Sequence, residues 1–148
     1  MYTVNDISIY GSLDRMLSAL AIEARKAAYA PYSGFRVGAA LLAESGKIYL
    51  GCNIENASYS PTNCAERTAF FKAVSEGERR FTAIAIAGGA DEQPDDVCPP
   101  CGVCRQVMAE FCDPDSFKVY LVKNENESLE LTLGELLPYG FSKDKLGQ

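Results

Sequence analysis

The sequence predicts an α/β domain with helices packed on both faces of a mixed sheet. Three observations carry that reading. Apolar residues recur at helical spacing in residues 14–30, and four other segments have the length and apolar content of strands. Helical and strand segments then follow one another in the order α-β-β-α-β-α-β-α. At 148 residues, the chain fits one domain, residues 1–148. A domain of that size buries roughly 68–70% of the surface its unfolded chain exposes, so it needs no disulfide staples.

The first helix is predicted over residues 14–30, where Met16, Leu17, Leu20, Ala21, Ala24, Ala27 and Ala28 share a face. Pro31 stops it, and Pro31-Tyr32-Ser33-Gly34 is turn chemistry. Residues 35–44 and Lys47–Cys52 read as two strands joined by a hairpin turn at Glu44-Ser45-Gly46-Lys47. A loop, residues 53–63, leads to a helix from Cys64 to about Ser75, ended by Gly77. Residues 81–87 form a buried strand, and residues 88–100 an acidic loop containing Gly and Pro. A helix over Gly102–Phe111, a strand over residues 118–122 and a short helix over residues 131–137 complete the chain. The hairpin supplies an antiparallel pair, and the later helix crossovers supply parallel strands.

Composition narrows the class. The net charge of −6, from 14 basic and 20 acidic residues, argues against a nucleic-acid partner, which would meet a basic face. The opening MYTVNDISIY has neither the basic flank nor the apolar run of a signal peptide. The longest largely apolar stretch, around residues 81–90, is far shorter than a membrane span. A cytoplasmic protein without a membrane partner is expected, with its thiols reduced. The six cysteines then read as ligands or buried thiols, not disulfides. The chain has no histidine, which removes Ser-His-Asp triads, Cys-His pairs and His-based zinc sites. A general base must be a carboxylate, Lys or Tyr, and a zinc site must be built mainly from thiolates.

Pro100-Cys101-Gly102-Val103-Cys104 opens a helix with two thiols at i and i+3, on one face. Helix N-termini favour thiolates, because the dipole and unpaired amides stabilise negative charge. Taken alone, the pair also reads as buried thiols or a redox couple. Cys64 sits at a similar helix start, and in an α/β fold two helix starts can meet at the carboxyl edge of the strands. Three thiolates on one zinc leave the fourth position open, as catalytic sites require. Cys64-Ala65-Glu66 followed by Pro100-Cys101-x-x-Cys104 matches the zinc-deaminase signature in its three-cysteine form.

The chain resembles the small homotetrameric cytidine deaminases from about Met16 to Leu146. The carrying segments are Pro31-Tyr32-Ser33-Gly34-Phe35-Arg36-Val37-Gly38-Ala39-Ala40, Gly51-Cys52-Asn53-Ile54-Glu55-Asn56-Ala57-Ser58-Tyr59, Cys64-Ala65-Glu66-Arg67 and Pro100-Cys101-Gly102-Val103-Cys104-Arg105-Gln106. Glu135-Leu136-Leu137-Pro138 also fits. The resemblance implies a three-layer α-β-α fold with a mixed, mostly five-stranded central sheet. It implies one zinc ion per chain and hydrolytic deamination of cytidine and 2′-deoxycytidine to uridine and 2′-deoxyuridine, a pyrimidine salvage reaction. It also implies a homotetramer with composite active sites acting on a small nucleoside.

The expected roles follow. Cys64, Cys101 and Cys104 hold the metal, and Glu66 carries protons from the attacking water to the pyrimidine and to departing ammonia. Three thiolates leave the site with net negative charge, so Arg67 and Arg105 are expected to hydrogen-bond ligand sulfurs. A solvated helix arginine is the alternative for Arg105. Asn53 and Glu55 alternate along an extended segment and share a side. The resemblance implies that they bind the ribose 3′- and 5′-hydroxyl region; loop capping is the alternative for Asn53. Phe35 is expected to stack on the base, with Val37 on the same face, unless Phe35 is a plain core residue. The Ala65 amide is expected to meet the C2 carbonyl. By resemblance, Ala57 and Tyr59 reach in from one neighbouring subunit and Phe141 from another; alone, Phe141 reads equally as a core or surface aromatic.

Cys98 forms a second Cys-x-x-Cys with Cys101, and a closed site of Cys64, Cys98, Cys101 and Cys104 would leave no room for water. Pro99-Pro100 stiffens that separation and argues against it. Cys52 and Cys112 read as buried thiols. Three rival readings remain. A zinc-stabilised binding module leaves Glu66 unexplained, and the Asn53-Ile54-Glu55-Asn56-Ala57 loop favours an ordinary nucleoside over another cytosine-bearing compound. The acidic charge and the lack of a basic, aromatic-lined stretch oppose a polynucleotide substrate.

Overall fold

Turn chemistry and apolar runs produce the hairpin where expected: β2 (Arg36–Ala43) returns as β3 (Lys47–Cys52), with Gly38 opposite Cys52 and Leu42 opposite Ile48. The computed structural model describes residues 1–94 and 96–148. From β3 the chain crosses one sheet face through α3 (Ala65–Ser75) to β4 (Phe81–Gly89), which pairs antiparallel with the other side of β2. A second crossover, α4 (Gly102–Phe111), leads to β5 (Lys118–Asn124), parallel to β4. Hence only the α4 crossover joins adjacent parallel strands. The α3 crossover joins β3 and β4, which run the same way on either side of β2.

Elements at both ends of the chain differ from expectation. The sheet has six strands in the order β1-β3-β2-β4-β5-β6, not mostly five. β1 (Tyr2–Thr3) is a two-residue edge, and β6 (Glu127–Thr132) is an edge strand with half its residues exposed and none buried, whose apolar side chains are Leu129 and Leu131. The helix expected over residues 131–137 is therefore only α5 (Leu133–Leu136), opened by a capping box between Thr132 and Glu135. The first long helix, α2 (Leu13–Ala24), also stops early and passes through a 3₁₀ turn, Arg25–Ala27. Its last predicted residues are instead extended. Tyr29 N donates to Asn53 O at 3.0 Å, and Glu55 N donates to Tyr29 O at 2.8 Å. A further short helix, α1 (Ile7–Tyr10), precedes α2.

Strand alternation sorts side chains into two cores. Leu41, Ile84, Ile86, Val119 and Leu121 face α3 and α4, where they meet Phe70 and Met108. Ala40, Leu42, Ala83, Ala85 and Val122 face α2, where they meet Met16, Leu17 and Leu20. Both sheet faces are covered, which is why the central strands read as near-continuous apolar runs. Each fully buried Leu, Ile or Phe stabilises by about 1.5–3 kcal/mol. Buried Arg25 donates to the carbonyls of Arg36, Gly89, Asp91 and Glu92, tying the start of β2 to the loop after β4. Among the described residues, no helix is long and apolar enough to cross a membrane.

Two glycines set the helix heights. A Cβ on Gly38 would lie 2.1 Å from Ala21 O of α2, and one on Gly51 would lie 2.3 Å from Ala65 O of α3. Both obstacles are backbone, so neither can yield cheaply. Gly51→Ala is expected to lower stability by about 1–3 kcal/mol, the usual cost of overpacking, as a shift in the urea midpoint. A wild-type midpoint would refute the close approach.

Candidate active site

Because β3 and β4 run the same way, their carboxyl ends lie at one edge of the sheet, and α3 and α4 both begin there. Cys64 and Cys101 are the N-cap residues of these helices, both extended, with no side-chain cap bond of their own. Cys104 lies in the first turn of α4. The three sulfurs lie within 4.8 Å of one another, and Cys64 Sγ and Cys101 Sγ are 3.7 Å apart. Cys104 is buried and Cys101 is exposed, so the cluster opens to solvent on one side. Cys98 is outside this group, so the closed four-thiolate alternative is not formed. A Cβ on Gly88 would lie 2.9 Å from both Cys98 Sγ and Phe35 Cε1; the Cys98 thiol therefore faces Gly88 beside the Phe35 ring.

Arg67 shares the Cys64 face of α3, three residues on. Its Nη2 donates to Cys64 Sγ at 3.3 Å, and its Nε is buried without a partner. The Cys104 thiol, then Arg67, pull the Cys64 thiol well below the usual range, to about 5. Glu66 is 4% exposed. Burial pushes its carboxyl up to about 7, and the Cys64 charge adds to that. A cation on the three sulfurs would pull it back down.

Arg105 stands elsewhere than expected. Its Nε donates to Pro100 O at 2.7 Å and its Nη1 to Leu136 O at 2.5 Å. Its contacts are thus with backbone carbonyls, not ligand sulfurs, because the C-terminal segment supplies an acceptor that sequence spacing cannot reveal.

The Asn53-Ile54-Glu55 segment lies beside residues 32–37. Asn53 is buried; its Oδ1 accepts from Val37 N at 2.9 Å and its Nδ2 donates to Phe35 O at 2.8 Å. Asn53 therefore does the bridging work of its structural alternative, holding the start of β2. Glu55 accepts from Tyr32 N at 3.0 Å, from Ser33 N at 3.1 Å and from Ser33 Oγ. The Ser33 hydroxyl holds the Glu55 carboxyl below the usual range. Ser33 Oγ also accepts from Phe35 N at 3.0 Å. Ile54 points away and is exposed. Phe35 is 38% exposed, so it is not a plain core residue; Val37 is half-buried and Ala65 fully buried. Ala57, Tyr59 and Phe141 are all exposed, and Tyr59 has φ 61°. Cys112 is buried as expected, whereas Cys52 is half-buried. A cavity of about 940 Å³ lies away from the cluster, lined by Phe111, Leu133, Leu137 and Pro138.

Residues 12–120 match the family model of the cytidine and deoxycytidylate deaminase zinc-binding region. The chain belongs to that family. It is 58% identical over 124 residues to the cytidine deaminase of Sporosarcina psychrophila, covering 84% of this chain and 88% of that protein. It is 53% identical to the cytidine deaminase of Halalkalibacterium halodurans, covering 90% and 98%. Among solved structures, cytidine deaminase from Burkholderia pseudomallei superposes with a TM-score of 0.77 at 46% identity, over 85% of this chain and 97% of that one. The family is zinc-binding, and the donor set here fits the metal. Three soft sulfurs, two at helix N-termini and one bonded to a guanidinium, suit one zinc ion per chain and leave a tetrahedral position open.

Ser33, Gly88 and Gln106 were not singled out from the sequence. Ser33 holds Glu55 and Phe35 N, Gly88 makes room for Phe35 and Cys98, and Gln106 Nε2 donates to Phe141 O at 2.8 Å. Ser33 and Gly88 carry no periodic signal, so only the meeting of distant segments reveals them.

Proposed function

We propose that this one-domain chain hydrolyses cytidine and 2′-deoxycytidine to uridine and 2′-deoxyuridine, releasing ammonia. The single observation that carries this reading is a buried carboxylate, Glu66, beside three converging thiols at two helix starts.

Cys64, Cys101 and Cys104 are the proposed ligands. Zinc bound there supplies a Lewis acid that lowers the pKa of water from about 15.7 toward 7. The Arg67 guanidinium offsets part of the charge of three thiolates. Glu66 takes the proton released as water oxygen adds to C4 and delivers it to N3. It then assists proton transfer to the amino group as the C4–N bond breaks. Its burial beside the cluster keeps it out of bulk water, where a positioned carboxyl can both take and return a proton. The exposed part of Phe35 offers a stacking face for the base, with Val37 beside it. The Ala65 amide, at a helix N-terminus, suits the C2 carbonyl.

Asn53 and Glu55 would bind the ribose hydroxyls while holding residues 32–37 in place. An amide has donor and acceptor capacity beyond the two bonds made here, and a carboxylate offers about four acceptor sites. Ala57, Tyr59 and Phe141 are exposed where a neighbouring chain can receive them, in keeping with a homotetramer whose sites are shared. The left-handed φ of Tyr59 supports a functional constraint on that loop. We place the enzyme in the cytoplasm, in pyrimidine salvage.

The test is ultraviolet absorbance of metal-quantified protein mixed with cytidine, with ammonia assayed in parallel. Turnover with one zinc per chain is expected. Zinc without turnover of cytidine or deoxycytidine would move the reading to another cytosine-bearing substrate.

A further inference from the structure

We propose that Arg105 is a positioning residue whose forked tie, from the C-terminal segment to the carbonyl before Cys101, holds the metal-bearing turn, so that retention of zinc depends on that tie. The inference rests on the proposed ligands Cys64, Cys101 and Cys104.

One guanidinium joins two carbonyls that are 36 residues apart in sequence, Pro100 O and Leu136 O. Each is a natural attachment point. Pro100 is fully buried and immediately precedes Cys101. A proline has no N–H, so its carbonyl is the only backbone hydrogen-bonding handle it offers. Leu136 is the last residue of α5, where carbonyls lack intrahelical partners. The planar fork of an arginine presents five donors in fixed directions, so bonding both acceptors fixes their relative position.

A second tie leaves the same helix. Gln106 Nε2 donates to Phe141 O, and that side chain has no bond to the ligand turn. Two neighbouring side chains of α4 therefore hold the C-terminal segment, and Arg105 alone of the two also holds the carbonyl before Cys101. Between these anchor points, Tyr139 has φ 56° and a fully exposed ring. Left-handed backbone at a non-glycine residue persists only where its surroundings impose it, and two flanking anchors do so here.

The rival explanation is charge alone, since a cation near three thiolates steadies the metal wherever its donors point. Lysine separates the two, because it keeps the charge and loses the fork. Zinc-loaded, full-length protein is mixed with excess chromogenic zinc chelator and the release rate is followed. Limited trypsin digestion, read by mass, reports loosening of the segment as cleavage after Lys143 and Lys145.

Arg105→Gln and Arg105→Lys are each expected to release zinc about tenfold faster than wild type, and each to be cut faster at the two lysines. Gln106→Ala is expected to be cut faster with zinc release unchanged. Wild-type release in both Arg105 variants, rescue by lysine, or equally fast release from Gln106→Ala would each overturn the proposal. Circular dichroism separates loss of fold from loss of the tie, and Arg105→Lys carries the test if Arg105→Gln does not fold. Failure of the ligand set itself looks different: wild-type protein would hold no zinc at the outset.

Discussion

Glu66→Gln is expected to lower turnover of cytidine by at least ~10² to 10⁴ while leaving fold and zinc content unchanged. Glutamine has the shape of glutamate and can still hydrogen-bond, but it cannot take up and return a proton. The side chain is 4% exposed, so a change of size there would be felt and a change of protonation chemistry alone can be isolated. Burial disfavours a charge at this position, so a neutral amide adds little desolvation cost. The measurements are kcat on cytidine, zinc per chain and melting temperature. A variant with normal zinc and near-normal turnover would remove Glu66 from the chemistry.

Cys64→Ala is expected to have a larger effect still. It removes one of three proposed ligands, and with zinc lost the acidified water is lost too, so turnover should fall below that of Glu66→Gln. It also takes away the sulfur that accepts from Arg67 Nη2 at 3.3 Å, in a side chain whose Nε already lacks a partner. That second loss should cost about 1–3 kcal/mol of stability, the range for an orphaned polar group. Elemental analysis and urea denaturation read the two effects separately. Full zinc occupancy in the purified variant would be fatal to the ligand set.

The long elements were legible because each follows one periodicity. Lys47–Cys52 and Gly102–Phe111 have the predicted bounds, and β2, α3, β4 and β5 lie within two residues of theirs. β6 was hidden because it is a short edge strand with no buried residue, whose alternation rests on Leu129 and Leu131 alone. The end of α2 was hidden because Tyr29 pairs with the Asn53–Glu55 backbone, a contact across more than twenty residues. At the site, Arg67 could be foreseen at the Cys64 sulfur, since i and i+3 share a helix face. Arg105 could not be placed, because its second acceptor lies 31 residues away.

By itself, then, the sequence determined which atoms were available for chemistry. With no histidine, elimination left a carboxylate, Lys or Tyr for a general base and thiolates for a zinc site; the particular candidates, Cys64, Glu66, Cys101 and Cys104, came from the match to the zinc-deaminase signature. Local rules sufficed because N-caps, turns and helix faces depend on residues within one or two turns of each other. Only the tertiary structure decided that the thiols converge and that Cys98 does not join them. It alone also showed Asn53 and Glu55 bracing residues 32–37. Those facts depend on strand direction, on helix heights set by Gly38 and Gly51, and on contacts between distant segments. No periodicity encodes them, because they arise only once the two faces of the sheet are packed.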